Sequence, residues 1–140
     1  MVKEVEMLNY IRQTTEMGID GIKLIIDDTD EKDFYKELKR QMKEYEEIYL
    51  EADELLSELG GEKEDVKATA KIAAHLSGRM KTLSGSMSKI AESMIQGSTM
   101  GVTKMIKHLN DFLGDDRVRK IAEKLIKTEE NNIEQLKNYL

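Results

Sequence analysis

Between residues 31 and 59 the apolar side chains return every three or four positions: Tyr35, Leu38, Met42, Tyr45, Tyr49, Ala52, Leu56 and Leu59. A strand alternates with a period of two, so a seam kept over four heptads marks a long amphipathic helix. Glu44, Glu47, Glu51, Glu54 and Glu58 occupy the opposite face, and Gly60–Gly61 supplies a left-handed stop. Such a helix buries its stripe only against other elements, so the rest of the chain must provide them.

It provides more helices. From about residue 4 to 27, Val5, Leu8, Thr15, Ile19, Ile22 and Ile26 share one stripe, with Arg12 in the same register. The polar DDTDEKD run then interrupts the period, and Asp30 is the expected N-cap of the second helix. The 140 residues contain no proline, so residues 63–113 permit one continuous helix. Such a helix would be ~75 Å long against ~40 Å for its neighbours. Gly78 and Gly85 bracket a serine-rich stretch, and the break is expected near Ser84–Ser86.

That leaves a connecting helix over about 64–83 and a bundle helix over about 87–112. The latter places Met87, Ile90, Met94, Gly97 or Ser98, Gly101, Met105, Leu109 and Phe112 inward. After the Gly114–Asp115–Asp116 turn, the last helix runs to the C-terminus with Val118, Ala122, Leu125, Glu129, Ile133, Leu136 and Leu140 inward. The expectation is an all-α, single-domain four-helix bundle over residues 1–140, with an additional connecting helix between the second and third bundle helices. A link of that length returns the chain along the bundle, so those two helices can run parallel.

Composition removes several functions. The chain has no cysteine, which excludes disulfides, thiolate metal sites and cysteine nucleophiles. Its formal net charge of −6 argues against a general nucleic-acid binder. The longest apolar stretch, Ile22–Ile26, is interrupted by Lys23 and is far short of the ~20 residues of a membrane span. With no secretory pattern at the N-terminus, a soluble cytoplasmic protein is expected. No phosphate-binding loop, dinucleotide fingerprint or Gly-x-Ser-x-Gly elbow occurs. Neither histidine, His75 or His108, stands in a triad context, and no catalytic residue is assigned.

Polar residues nevertheless fall near mid-height on each long helix. Arg12, Thr15 and Glu16 are central in the first, Tyr45 in the second, and Ser98 in the third. Thr128, Glu129 and Asn132 are central in the fourth. Buried polar groups are costly unless paired, so one hydrogen-bonded interior layer is expected, with Arg12 and Glu129 as an ion pair that fixes register. An altered metal or small-ligand pocket, or several of these residues facing solvent, are the alternatives. Met80, Met87 and Met94, seven apart, read as core filling. Arg117, Lys120, Lys124 and Lys127 form a basic stripe opposite in sign to the glutamate ridge, a solvated face or a charge-complementary contact.

The layout of nearly the whole chain resembles that of ferritin-like, rubrerythrin-related small bacterial proteins of unknown function. The resemblance is strongest in YEEIYLEADELLSELG (45–60), MSKIAESMIQGSTMGVTKMIKHL (87–109) and VRKIAEKLIKTEENNIEQLKNYL (118–140). It implies non-haem iron with oxidation or storage chemistry. No Glu-x-x-His occurs in this chain, and of the residues present only Glu16 and Glu129 stand at plausible ligand positions. Two functions follow as expectations. One is a non-catalytic bundle without cofactor, acting as a homo-oligomer or through a protein partner. The other is a divergent iron- or manganese-binding, oxidase-like bundle that uses carboxylates.

Overall fold

A computed structural model describes residues 2–64 and 86–140. Four long helices carry them: α1 (Glu4–Lys23), α2 (Lys32–Glu58), α3 (Met87–Asn110) and α4 (Asp116–Leu136). Short 3₁₀ turns follow α1 at Ile26–Asp28 and α4 at Lys137–Tyr139. The connecting helix expected over about 64–83 falls outside the described residues. Among those residues no helix is long and apolar enough to cross a membrane.

Each helix begins and ends for a local reason. The N-cap of α2 is Glu31 rather than Asp30: its carboxylate accepts from the amides of Asp33 and Phe34 at 3.2 and 2.8 Å. The longer glutamate side chain reaches two amides of the first turn that would otherwise lack partners. At the other end Gly60 adopts φ 66°. Gly60 N–H then donates to Ser57 and Gly61 N–H to Leu56, the paired bonds of a Schellman stop. Ser86 and Asp115 cap α3 and α4 through their side chains.

The buried face of α2 is rotated from the expected seam. Phe34, Leu38, Gln41, Tyr45, Ile48, Ala52, Leu55 and Leu56 are buried, whereas Tyr35, Met42 and Tyr49 are half-buried and Leu59 is exposed. The helix packs against both α1 and α4, which turns the buried stripe toward the line between them. In α4 the buried line is Val118, Ala122, Leu125, Thr128, Glu129, Asn132 and Leu136. In α3 it narrows to Ile90, Ala91, Ser98 and Met105, while Met87 and Gly97 are exposed.

Side-chain pairings give the helix directions. Arg12 meets Tyr49 and Asp53, and Gly18 meets Tyr45, so α1 and α2 are antiparallel. Arg40 meets Asn132 and Lys124 meets Glu51, so α2 and α4 are antiparallel. Val2 bridges to Phe112 and Tyr10 stacks on His108 with ring centroids 4.0 Å apart, so α1 and α3 are antiparallel. Helices α2 and α3 therefore run in the same direction. A tie at one end reinforces this frame, where the Glu4 carboxylate accepts from the Asp115 amide.

Candidate functional site

The middle of the bundle is polar. Tyr45 of α2 lies buried with its ring against Gly18 of α1, where a Cβ would come within 2.7 Å of the ring. A glycine in the middle of α1 costs up to ~1 kcal/mol of helix stability, and here it admits the tyrosine. The Tyr45 side chain interacts with Ser98 of α3 and with Glu129 and Asn132 of α4. Burial, reinforced by the Glu129 charge, pushes the Tyr45 phenol well above its usual range.

Glu129 is only 4% exposed. Burial raises its carboxyl from the usual carboxylate range to about 7, against the opposing pull of the Tyr45 and Ser98 hydroxyls. Gly101 of α3 makes room for it: a Cβ there would lie 3.2 Å from Glu129 Oε2. A second set of bonds flanks the cluster. Arg40 Nη2 donates to Asn132 Oδ1 at 3.2 Å, and Arg40 also pairs with Glu37 and Glu44. Gln41 Nε2 donates to Glu37 Oε2 at 2.7 Å. Among the described residues, Gln41 Oε1, Glu129 Oε1 and Asn132 Nδ2 are buried without a hydrogen-bond partner, as is Arg12 Nε elsewhere in the bundle.

The expected interior layer thus divides. Tyr45, Ser98, Glu129 and Asn132 converge, but Arg12 belongs to another level and does not pair with Glu129. It lies six residues, ~9 Å of helix, from Gly18, the α1 residue at the level of Tyr45. Its Nε is 3.1 Å from Asp53 Oδ1, an ion-pair distance at which the N–H is not aligned on the oxygen. Its other nitrogens donate to Asn9 Oδ1, the Glu64 carbonyl and the Tyr49 hydroxyl. Asn9 in turn donates to the Glu62 carbonyl and accepts from the Glu64 amide. This knot pins residues 62–64 against α1. Thr15 is buried with its hydroxyl bonded to the Ile11 and Arg12 carbonyls of its own helix, and Glu16 is half-buried.

Gln41 and Gly18 complete the site from positions outside the expected polar layer, and Gly101, expected inward, completes it from α3. Gln41 stands one turn before Tyr45 on the same face, and a mid-helix glycine marks a close approach; those were the available signals.

An iron or manganese pair needs several inward carboxylates and imidazoles. Among the described residues no three His, Asp or Glu side chains are placed to hold a metal. The cluster offers one buried carboxylate, Glu129, while the Arg40 guanidinium sits on neighbouring Asn132. These residues do not fit such a metal pair.

Two outer surfaces complete the picture. Lys124 and Arg117 of the basic stripe pair with Glu51 and Glu58 of the glutamate ridge, so part of that complementarity is satisfied within the chain. A shallow groove of about 700 Å³ beside them is lined by Glu44, Lys120, Lys124 and Lys127 and does not reach the buried cluster. On α3, residues 93–103 (SMIQGSTMGVT) carry no charge, although the chain is 36% charged. Ser98 points inward from this run, while Thr99, Met100 and Thr103 are exposed. No family model, curated protein or solved structure matches the chain.

Proposed function

We propose that the chain is a non-catalytic, cytoplasmic protein with a ferritin-like bundle layout, and that it works by self-association through the outer face of α3. One observation carries the reading: the uncharged run at 93–103 leaves Met100 59% exposed on the outside of the molecule. A purely solvated helix face in so charged a chain carries lysines and glutamates, as the outer faces of α2 and α4 do. Gly97 adds to it. Among the described residues a Cβ at this position meets nothing within 4 Å, so no described contact within one copy requires the glycine. Two features connect this face to the interior. The same short run supplies Ser98 and Gly101 to the Glu129 cluster, and that cluster fixes the rotation of α3 and hence what it presents outward.

Light scattering coupled to gel filtration tests the proposal. The wild-type protein is expected at an integer multiple of its 16.1 kDa chain mass, and Met100→Glu at the single-chain mass. A wild-type protein that runs at 16.1 kDa over the accessible concentration range contradicts self-association.

A further inference from the structure

We infer that the bundle interior between α2 and α4 binds a single water molecule, held by Gln41 Oε1, Glu129 Oε1 and Asn132 Nδ2. All three residues are buried, and among the described residues none of these atoms makes a hydrogen bond of good geometry, although the Tyr45 hydroxyl lies near both α4 side chains. The helix pairing brings the three residues to adjoining turns. Because α2 and α4 are antiparallel, the step from Gln41 to Tyr45 runs alongside the step from Asn132 to Glu129. Tyr45 interacts with both α4 residues, and Arg40, next to Gln41, bonds to Asn132.

The identities of the free atoms are set by the bonds their other halves make. Asn132 Oδ1 accepts from Arg40, which leaves its amide nitrogen as a donor. Gln41 Nε2 donates to Glu37, which leaves its oxygen as an acceptor. The cluster therefore presents two acceptors and one donor. Water meets that demand in full: it donates to Gln41 and Glu129 and accepts from Asn132. Three bonds is also the usual number for a buried water.

Other occupants fail on the same chemistry. A metal cation finds no ligand in Asn132 Nδ2 and meets the Arg40 charge on the far side of that amide. An anion meets two acceptor oxygens, those of Gln41 and Glu129, and only one donor. Ammonium donates only, so Asn132 Nδ2 stays unpaired. An apolar guest leaves all three atoms unpaired, at ~1–3 kcal/mol each.

Water-selected nuclear Overhauser spectroscopy on isotope-labelled wild-type protein tests the assignment. Cross-peaks of long-lived hydration are expected from water to the Asn132 side-chain amide protons. They should persist in Glu129→Gln, which keeps the acceptor oxygen, and weaken severalfold or vanish in Gln41→Met. A folded wild-type protein without these cross-peaks overturns the assignment, as does equal intensity in Gln41→Met. Should Gln41→Met fail to fold, a wild-type crystal structure decides: density within hydrogen-bond distance of all three atoms supports the water. Direct bonding between the Gln41 and Asn132 side chains refutes it.

Discussion

The bundle holds two buried polar regions, and they differ in whether the buried charge meets an opposite one. Around Arg12, the guanidinium, the Asn9 amide, Asp53, Tyr49 and the backbone of residues 62–64 bond to one another at 2.8–3.3 Å. Around Glu129, no cation among the described residues meets the buried carboxyl, and three side-chain atoms lack hydrogen-bond partners among them. Paired groups of opposite charge hold a structure in one arrangement, whereas an underpaired carboxyl responds to protons and small ligands. The first region is a clamp on the chain as it leaves α2. The second sets the placement of α3 and stays sensitive to pH.

The largest expected effect breaks the clamp. Arg12→Ala should cost about 3 kcal/mol of unfolding free energy in a denaturant titration, because it strands Asn9 and leaves Asp53 without its buried partner. A loss below about 1 kcal/mol would show that the region is no better paired in effect than the Glu129 cluster.

Next comes the pH dependence of the second region. The Glu129 carboxyl titrates near 4.5 when unfolded and at about 7 in the bundle. Between those values the folded state binds the extra proton, so stability falls as pH rises from about 4.5 to 7 and this contribution is flat above. The total change is on the order of 3 kcal/mol. Glu129→Gln should remove that slope and leave the protein more stable than wild type at pH 8. An unchanged slope in the variant would assign the effect elsewhere.

A smaller pair of changes sharpens the contrast within α3. Gly101→Ala pushes a methyl toward the Glu129 carboxylate, which Tyr45 and Ser98 confine, and should cost about 1 kcal/mol net. Gly97→Ala meets no atom of the described residues within 4 Å and should instead stabilise the monomer fold by about 0.5–1 kcal/mol. The same sign for both would mean that Gly101 does not serve the cluster. The smallest effect on folding belongs to Met100→Glu, expected within about 0.5 kcal/mol of wild type while self-association is lost.

Much of this was legible in the sequence, for reasons particular residues make plain. Hydrophobic period located all four helices, because each buries a continuous stripe. It placed Tyr45 and Glu129 inward and offered Gly97 or Ser98 in α3, but in α4 it pointed to Ile133 where Asn132 is the buried residue, Asn132 being marked only by its mid-height position. It could not place Arg12, since the axial register of α1 against α2 depends on pairings such as Gly18 with Tyr45 that no single helix encodes. For the same reason the seam of α2 was drawn through Tyr35 and Tyr49 rather than through Phe34, Gln41 and Ile48. A helix with two neighbours buries a stripe set by both. The Asp30 cap was displaced to Glu31 because a longer side chain could reach two amides, a geometric preference that composition does not express.

The contrast between an ion-paired clamp and an interior carboxyl that no described cation meets rests on the state of one carboxyl. The most direct measurement is the pH titration of the Glu129 side-chain carboxyl carbon by NMR in the folded protein. A midpoint at about 7 is expected from its burial without a cation. A midpoint at or below 4.5 would show a carboxylate held in its charged form by partners, and would contradict the account of an underpaired interior site.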